Sequence, residues 1–174
     1  RHKEQLAAAA AVGVTDVRFL GYPDGTLEAT IDVRRDITRI IRETKPYRVV
    51  CQDPTTVFVR SGYINHPDHR AAGEASLYAV FPSSETRPIF PELLDEGYEP
   101  HKVGELYINL SMEATHYNDI TSTIDDKVAS LREHVSQLGE DEDFEDGAKK
   151  WIVQSNRDGG KMVGVEYAEY FRVM

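Results

Sequence analysis

His66 and His69 flank a Pro-Asp pair in the stretch SGYINHPDHRAAGEA, residues 61–75. Two imidazoles at that spacing can bind a metal or move protons, and the carboxylate between them, Asp68, can tune either role. Pro67 suits the first position of a helix, which makes His66 the expected N-cap and puts Asp68 and His69 in the first turn. The positive end of a helix favours the Asp68 carboxylate and the neutral form of His69, which is the form that binds a metal. A zinc centre that does chemistry needs about three protein ligands and an open position. The spacing supplies one or two, so it leaves open whether the histidines hold a metal or only cap a helix. His2, His101, His116 and His134 complete no ligand set by spacing and are expected at surface or helix-edge positions.

The elements that must position these residues follow from pattern. RHKEQLAAAAAVGV has helical composition and ends at Gly13, a helix C-cap signal. VTDVRFLG reads as a short buried strand, closed by the turn GYPDG. IDVRRDITRIIRETKP is an amphipathic helix with Asp32 as cap, Val33, Ile37, Ile40 and Ile41 on one face, and Pro46 as stop. YRVVCQ is a second buried strand. It runs through the loop DPTTVFVRSGYIN into a helix from Pro67 to about Phe81. Residues 82–101 hold four prolines and no clean period, the mark of a lid or a substrate wall. GELYINLS gives a third strand. TIDDKVASLREHVSQLG gives one long helix with a Thr123–Asp126 capping box. An acidic linker, EDEDFEDG, leads to a helix at AKKWIVQSNR and an extended end, VGVEYAEYFRVM.

Helices alternating with buried strands predict a single α/β domain over 1–174. The sheet is expected to be three-layered, mostly parallel and Rossmann-like, with ligands at the carboxyl ends of its strands. Three strands are few for such a sheet. A chain that opens on Arg1 in mid-helix fits a domain whose first strand or strands precede it, so the 174 residues are expected to be its C-terminal portion.

The balance of 20 basic and 30 acidic residues, a formal charge of -10, argues against a nucleic-acid partner. No apolar run reaches the 18 or so residues that a membrane span needs. One cysteine, Cys51, excludes an internal disulfide and fits a reducing, cytoplasmic compartment. In YRVVCQ it reads as a small buried hydrophobe. Neither GxGxxG nor GxxxxGK[ST] occurs, which weakens a nucleotide-binding reading.

RHKEQLAAAAAVGVTDVRFLGYPDGTL, HPDHRAA and DKVASLREHVSQ, in that order and over about residues 1–138, resemble three landmarks of the LmbE/PIG-L family. That family comprises zinc-dependent de-N-acetylases of N-acetylglucosamine conjugates and related amides. The resemblance implies that His69 is a zinc ligand, that His66 stabilises the oxyanion or acts as an acid, and that Asp68 tunes it. It also implies that Arg1 and Asp24 bind the substrate, a small sugar or glycoconjugate. Lys127, His134 and Gln137 match the family too, but packing accounts for them. The family's earlier Ala-His-Pro-Asp-Asp motif, source of the other ligands and the general base, is absent. The resemblance therefore implies an incomplete, inactive fragment of an enzyme, with a homo-oligomer compatible. The competing reading is a catalytically inactive carbohydrate-binding or regulatory module on the same fold.

Overall fold

The structure, a computed structural model, describes residues 1–59, 62–139 and 144–174. The chain forms two compact units: residues 20–116 with 171–174, and residues 1–19 with 117–170.

In the larger unit, helix α2 (Ile31–Thr44) starts at Thr30, whose Oγ1 accepts the Val33 N–H at 3.3 Å. The expected cap, Asp32, lies inside the first turn instead, where a carboxylate complements the dipole. Lys45 ends the helix in the left-handed region at φ 49°, just before Pro46. Strand β1 (Arg48–Gln52) pairs in parallel with β4 (Glu105–Asn109), Val49 opposite Leu106 and Cys51 opposite Ile108. The last residues of β6 (Ala168–Val173) add an antiparallel neighbour to β4, Tyr107 opposite Val173 and Ile108 opposite Arg172. The sheet is therefore α/β and mixed, its parallel pair joined through helix α3 (Pro67–Tyr78), as a parallel connection requires. Ile41, Ala79, Val80, Val103, Leu106 and Ile108 form the core, with Cys51 packed against it. Each larger member contributes about 1.5–3 kcal/mol by leaving water. Burial pushes the Cys51 thiol up to about 11, so it behaves as an inert hydrophobe.

The loop after β1 contains a short hairpin, β2 (Phe58–Val59) with β3 (Tyr63–Ile64), which no clean alternation announced. Residues 82–101 hold the short helix α4 (Glu92–Asp95) and are pinned from beneath. Arg42, 1% exposed, donates from Nη2 to the carbonyls of Ser83, Thr86 and Ile89 at 2.8, 3.0 and 3.0 Å. His101 is not on the surface as expected: its Nε2 lies 2.8 Å from the Pro46 carbonyl, half-buried.

In the smaller unit, α1 (His2–Ala11) ends as the sequence suggests. The N–H groups of Gly13 and Val14 return to the Ala10 and Ala9 carbonyls at 3.0 and 2.9 Å, with Gly13 at φ +76°. Residues 14–21 do not form the expected strand; among the described residues no ladder partner faces them, and Val14, Phe19 and Leu20 stay exposed. The expected long helix is two, α5 (Ile124–Arg132) and α6 (Val135–Leu138). The Glu4 carboxylate accepts the Ser136 N–H and hydroxyl at 2.7 and 2.6 Å, which satisfies the opening of the second helix. Thr123 does not build a capping box; its hydroxyl turns back to the Ile120 carbonyl at 3.4 Å. Helix α7 (Lys150–Val163) precedes β6, and most of β5 (His116–Asp119) also lies in this unit. Residues 140–143 of the acidic linker lie outside the described residues; beyond them Glu145–Lys149 form a wide helical turn.

Candidate active site

The entrance to α3 is fixed by its neighbours. A Cβ at Gly73 would come within 2.2 Å of the Gln52 carbonyl oxygen, so only glycine lets the helix approach the end of β1 this closely. Arg70 Nε donates to the Pro54 carbonyl at 3.0 Å. The first turn of α3 thus lies beside the residues that follow the carboxyl end of β1, the rim where α/β sheets bind ligands. His66 is the N-cap as expected, and its Nδ1 accepts the Asp68 N–H at 3.2 Å. That bond places the ring proton of the neutral form on Nε2, which is left to act as donor. The His66 and His69 rings lie 5.2 Å apart, tilted by 38°.

Asp68 reaches across to the GYPDG turn. Its Oδ2 accepts the Gly25 N–H at 2.6 Å and its Oδ1 accepts the Leu27 N–H at 3.2 Å. The nearest approach of its carboxylate to His66 Nδ1 is 3.8 Å, within ion-pair range but too long for a hydrogen bond. Asp68 therefore ties the GYPDG turn to the start of α3, and Asp24 is carried next to the histidines. Burial lowers the His69 pKa first, the neighbouring His66 lowers it further, and the charges of Asp68 and Asp24 oppose both. The net result favours neutral imidazole at His69. The turn and the helix are separated by 43 residues between Gly25 and Asp68, so no local pattern could have announced the bond.

His66, Asp68, His69 and Asp24 are brought together in the larger unit; Arg1 is exposed at the N-cap of α1, in the smaller one. His69, held towards its neutral form, fits the role of a metal ligand, but the described residues contain no group of three His, Cys, Asp or Glu that could hold an ion. Lys127 is paired with Glu169 and lies 3.3 Å from Asn156 Oδ1. His134 is the N-cap residue of α6, with Gln137 Nε2 3.4 Å from its Nδ1.

A second feature of the rim escaped the sequence reading. A cleft of about 390 Å³ opens beyond β1 and β4, lined among others by Asp53, Thr55, Phe58, Ser111, Glu113 and Arg172. An Asp-Pro pair directly after a buried strand was the available signal. Burial would raise the Asp53 pKa, but hydrogen bonds from Thr55 and Ser111 outweigh it and hold the carboxyl below its usual range.

The α/β sheet presents a histidine pair and two carboxylates at its carboxyl rim. Residues 1–80 match the family profile described as PIG-L, GlcNAc-PI de-N-acetylase. The chain belongs to the PIG-L (LmbE-like) family. It is 31% identical over 175 residues to the diacetylchitobiose deacetylase of Thermococcus kodakarensis, covering 99% of this chain and 61% of that protein. It is 28% identical over 166 residues to a probable N-acetyl-alpha-D-glucosaminyl L-malate deacetylase 2 of Bacillus anthracis, covering 91% of this chain and 67% of that one. Among solved structures, the N,N'-diacetylchitobiose deacetylase of Pyrococcus horikoshii, complexed with its inhibitor MPG, superposes with a TM-score of 0.88 at 28% identity. That match covers 99% of this chain and 62% of that one. The chain thus spans about three fifths of the length of its diacetylchitobiose deacetylase relatives.

Proposed function

We propose that this chain forms part of a zinc-dependent de-N-acetylase that hydrolyses the acetamide of an N-acetylglucosamine conjugate or a related small molecule. The observation that carries this reading is the assembly of His66, His69 and Asp24 around Asp68. His69, kept neutral, would be one ligand of the ion, with the remaining ligands supplied from outside these 174 residues. Zinc, when bound, would polarise the acetamide carbonyl and lower the pKa of water.

The chain's own groups do the rest. His66 Nε2 donates a hydrogen bond to the oxygen that becomes negative as water adds to the carbonyl carbon. Asp68 is a positioning residue: it holds the turn and presents its negative charge near the His66 ring. Asp24 accepts a sugar hydroxyl. None of these groups serves as the base; the family's Asp-Asp motif, absent from this sequence, would take the water proton. Breaking the C–N bond releases acetate and the free amine. The formal charge of -10 supports a small-molecule rather than a nucleic-acid partner, and no helix among the described residues is long and apolar enough to cross a membrane. We place the enzyme in the cytoplasm, where a homo-oligomer is compatible.

The test is zinc content together with acetate release from N-acetylglucosaminides, on the full-length protein and its His69→Ala variant. About one zinc per chain and acetate release, both lost on substitution, supports the reading. A protein that binds these sugars without zinc or acetate release is a carbohydrate-binding module, and the enzyme reading fails.

A further inference from the structure

The turn that carries Asp24 is held from two sides. On one side Asp68, in the first turn of α3, accepts the Gly25 and Leu27 N–H groups at 2.6 and 3.2 Å. On the other, the Tyr22 hydroxyl donates to Asp36 Oδ2, in the second turn of α2, at 2.8 Å. Only Pro23 and Asp24 lie between the two anchors. The proline ring fixes its own φ, and Gly25 takes the left-handed φ of +88° that closes the turn. A turn held only at Gly25 and Leu27 could pivot about the glycine; a hold placed before Pro23 removes that pivot. The carboxylate so confined is close enough to the histidines for its charge to act on the His69 ring.

The acceptor of the Tyr22 bond is itself fixed. Asp36 Oδ1 lies 3.4 Å from Arg39 Nη1, one turn further along α2. Arg39 in turn grips Glu96, at the end of α4, with Nε and Nη2 at 3.0 and 3.1 Å. A two-pronged pair of this kind keeps its geometry where a single exposed ion pair would not. Burial, and then the bond to Asp36, push the Tyr22 hydroxyl up to about 12, so it keeps its proton and stays a donor.

We propose that Tyr22, acting through Asp36, is a positioning residue for the reaction: it fixes the place of Asp24, and so sets how firmly the site grips the substrate hydroxyl that Asp24 accepts. The inference rests on the de-N-acetylase reading above. It also gives residues 82–101 a part other than that of a lid, since Glu96, through Arg39, steadies the carboxylate that Tyr22 uses.

Steady-state release of acetate from N-acetylglucosamine and N,N'-diacetylchitobiose by the full-length protein tests it. A hydroxyl acceptor held out of place weakens the bound substrate and the transition state alike, so the loss falls on KM. Tyr22→Phe, which deletes one oxygen, should raise KM about fivefold and leave kcat within about twofold. Asp36→Ala, which removes the acceptor and keeps the tyrosine, should give a similar rise, and the double variant no more than either alone. In an Asp24→Ala background, Tyr22→Phe should change KM less than about twofold, a dependence that a merely structural role would not show. KM unmoved by both single variants, or raised equally in the Asp24→Ala background, overturns the inference while acetate release by the wild type keeps the parent reading. No acetate release from either sugar by the wild type overturns both.

Discussion

Asp68 clasps the backbone of the GYPDG turn, accepting the Gly25 N–H at 2.6 Å. One carboxylate in the first turn of α3 thereby sets the distance between an acid on a loop and two imidazoles on a helix. Asp68→Ala is expected to cost about 1.5–3 kcal/mol, because it removes charge-assisted bonds to two backbone donors. Hydrolysis should fall at least tenfold, with a raised KM as Asp24 loses its position. Urea unfolding and steady-state kinetics, read side by side, check this; unchanged KM with lost kcat would assign Asp68 to the chemical step instead.

Gly73 makes a second prediction. Because a Cβ there would lie 2.2 Å from the Gln52 carbonyl oxygen, Gly73→Ala must push α3 off β1. The expected loss is about 1–3 kcal/mol, and the histidines move with the helix. A Gly73→Ala protein of wild-type stability, in denaturant unfolding, would show that the helix is free to shift.

Arg42 holds the long loop by its carbonyls, with no carboxylate partner at hydrogen-bond distance among the described residues, and burial lowers its pKa. Arg42→Met leaves several buried acceptors unpaired, a loss on the order of 3 kcal/mol. Lysine would not rescue it, since one ammonium cannot span the fork of bonds. Hydrogen exchange should quicken at residues 83–90 before the rest of the chain. Uniform exchange would mean that the loop is held by other contacts.

Asp53 sets an acid limit. Despite burial, its carboxyl is held below the usual carboxylate range by hydrogen bonds from Thr55 and Ser111, so the ionised form stabilises the fold. That contribution is present above the unfolded value and is lost as pH falls through the folded one, that is, below about 4. Thr55→Val removes one hydroxyl donor and should move the acid transition upward in a pH series of thermal midpoints. An unmoved transition would place the acid limit at other carboxylates.

The legible parts of this fold were those with local causes. Gly13 after an alanine run, Pro46 after an isoleucine face and Pro67 before an acid each announced a helix boundary, and VVC and LYIN announced the parallel pair. What stayed hidden depended on partners distant in sequence. VTDVRFL has the composition of a strand, but composition does not supply a neighbouring ladder. Thr123 and Asp126 carry the capping pattern, while Glu4, far upstream, decides where the next helix begins. At the site, the histidine pair was visible from its spacing, whereas the bond from Asp68 to Gly25 and the Asp53 cleft exist only once the chain has returned to the same rim.

His66 caps α3 through Nδ1 and, in the mechanism proposed above, donates from Nε2 to the reacting oxygen. The two duties differ in their tolerance of change. Asparagine, serine or aspartate would keep the cap while abolishing the donor, and His69, which caps nothing, carries no such alternative constraint. A lineage released from selection for hydrolysis could therefore drift to a small polar residue at position 66 with its fold intact. The residue found there distinguishes a working descendant from a silent one before any assay is run.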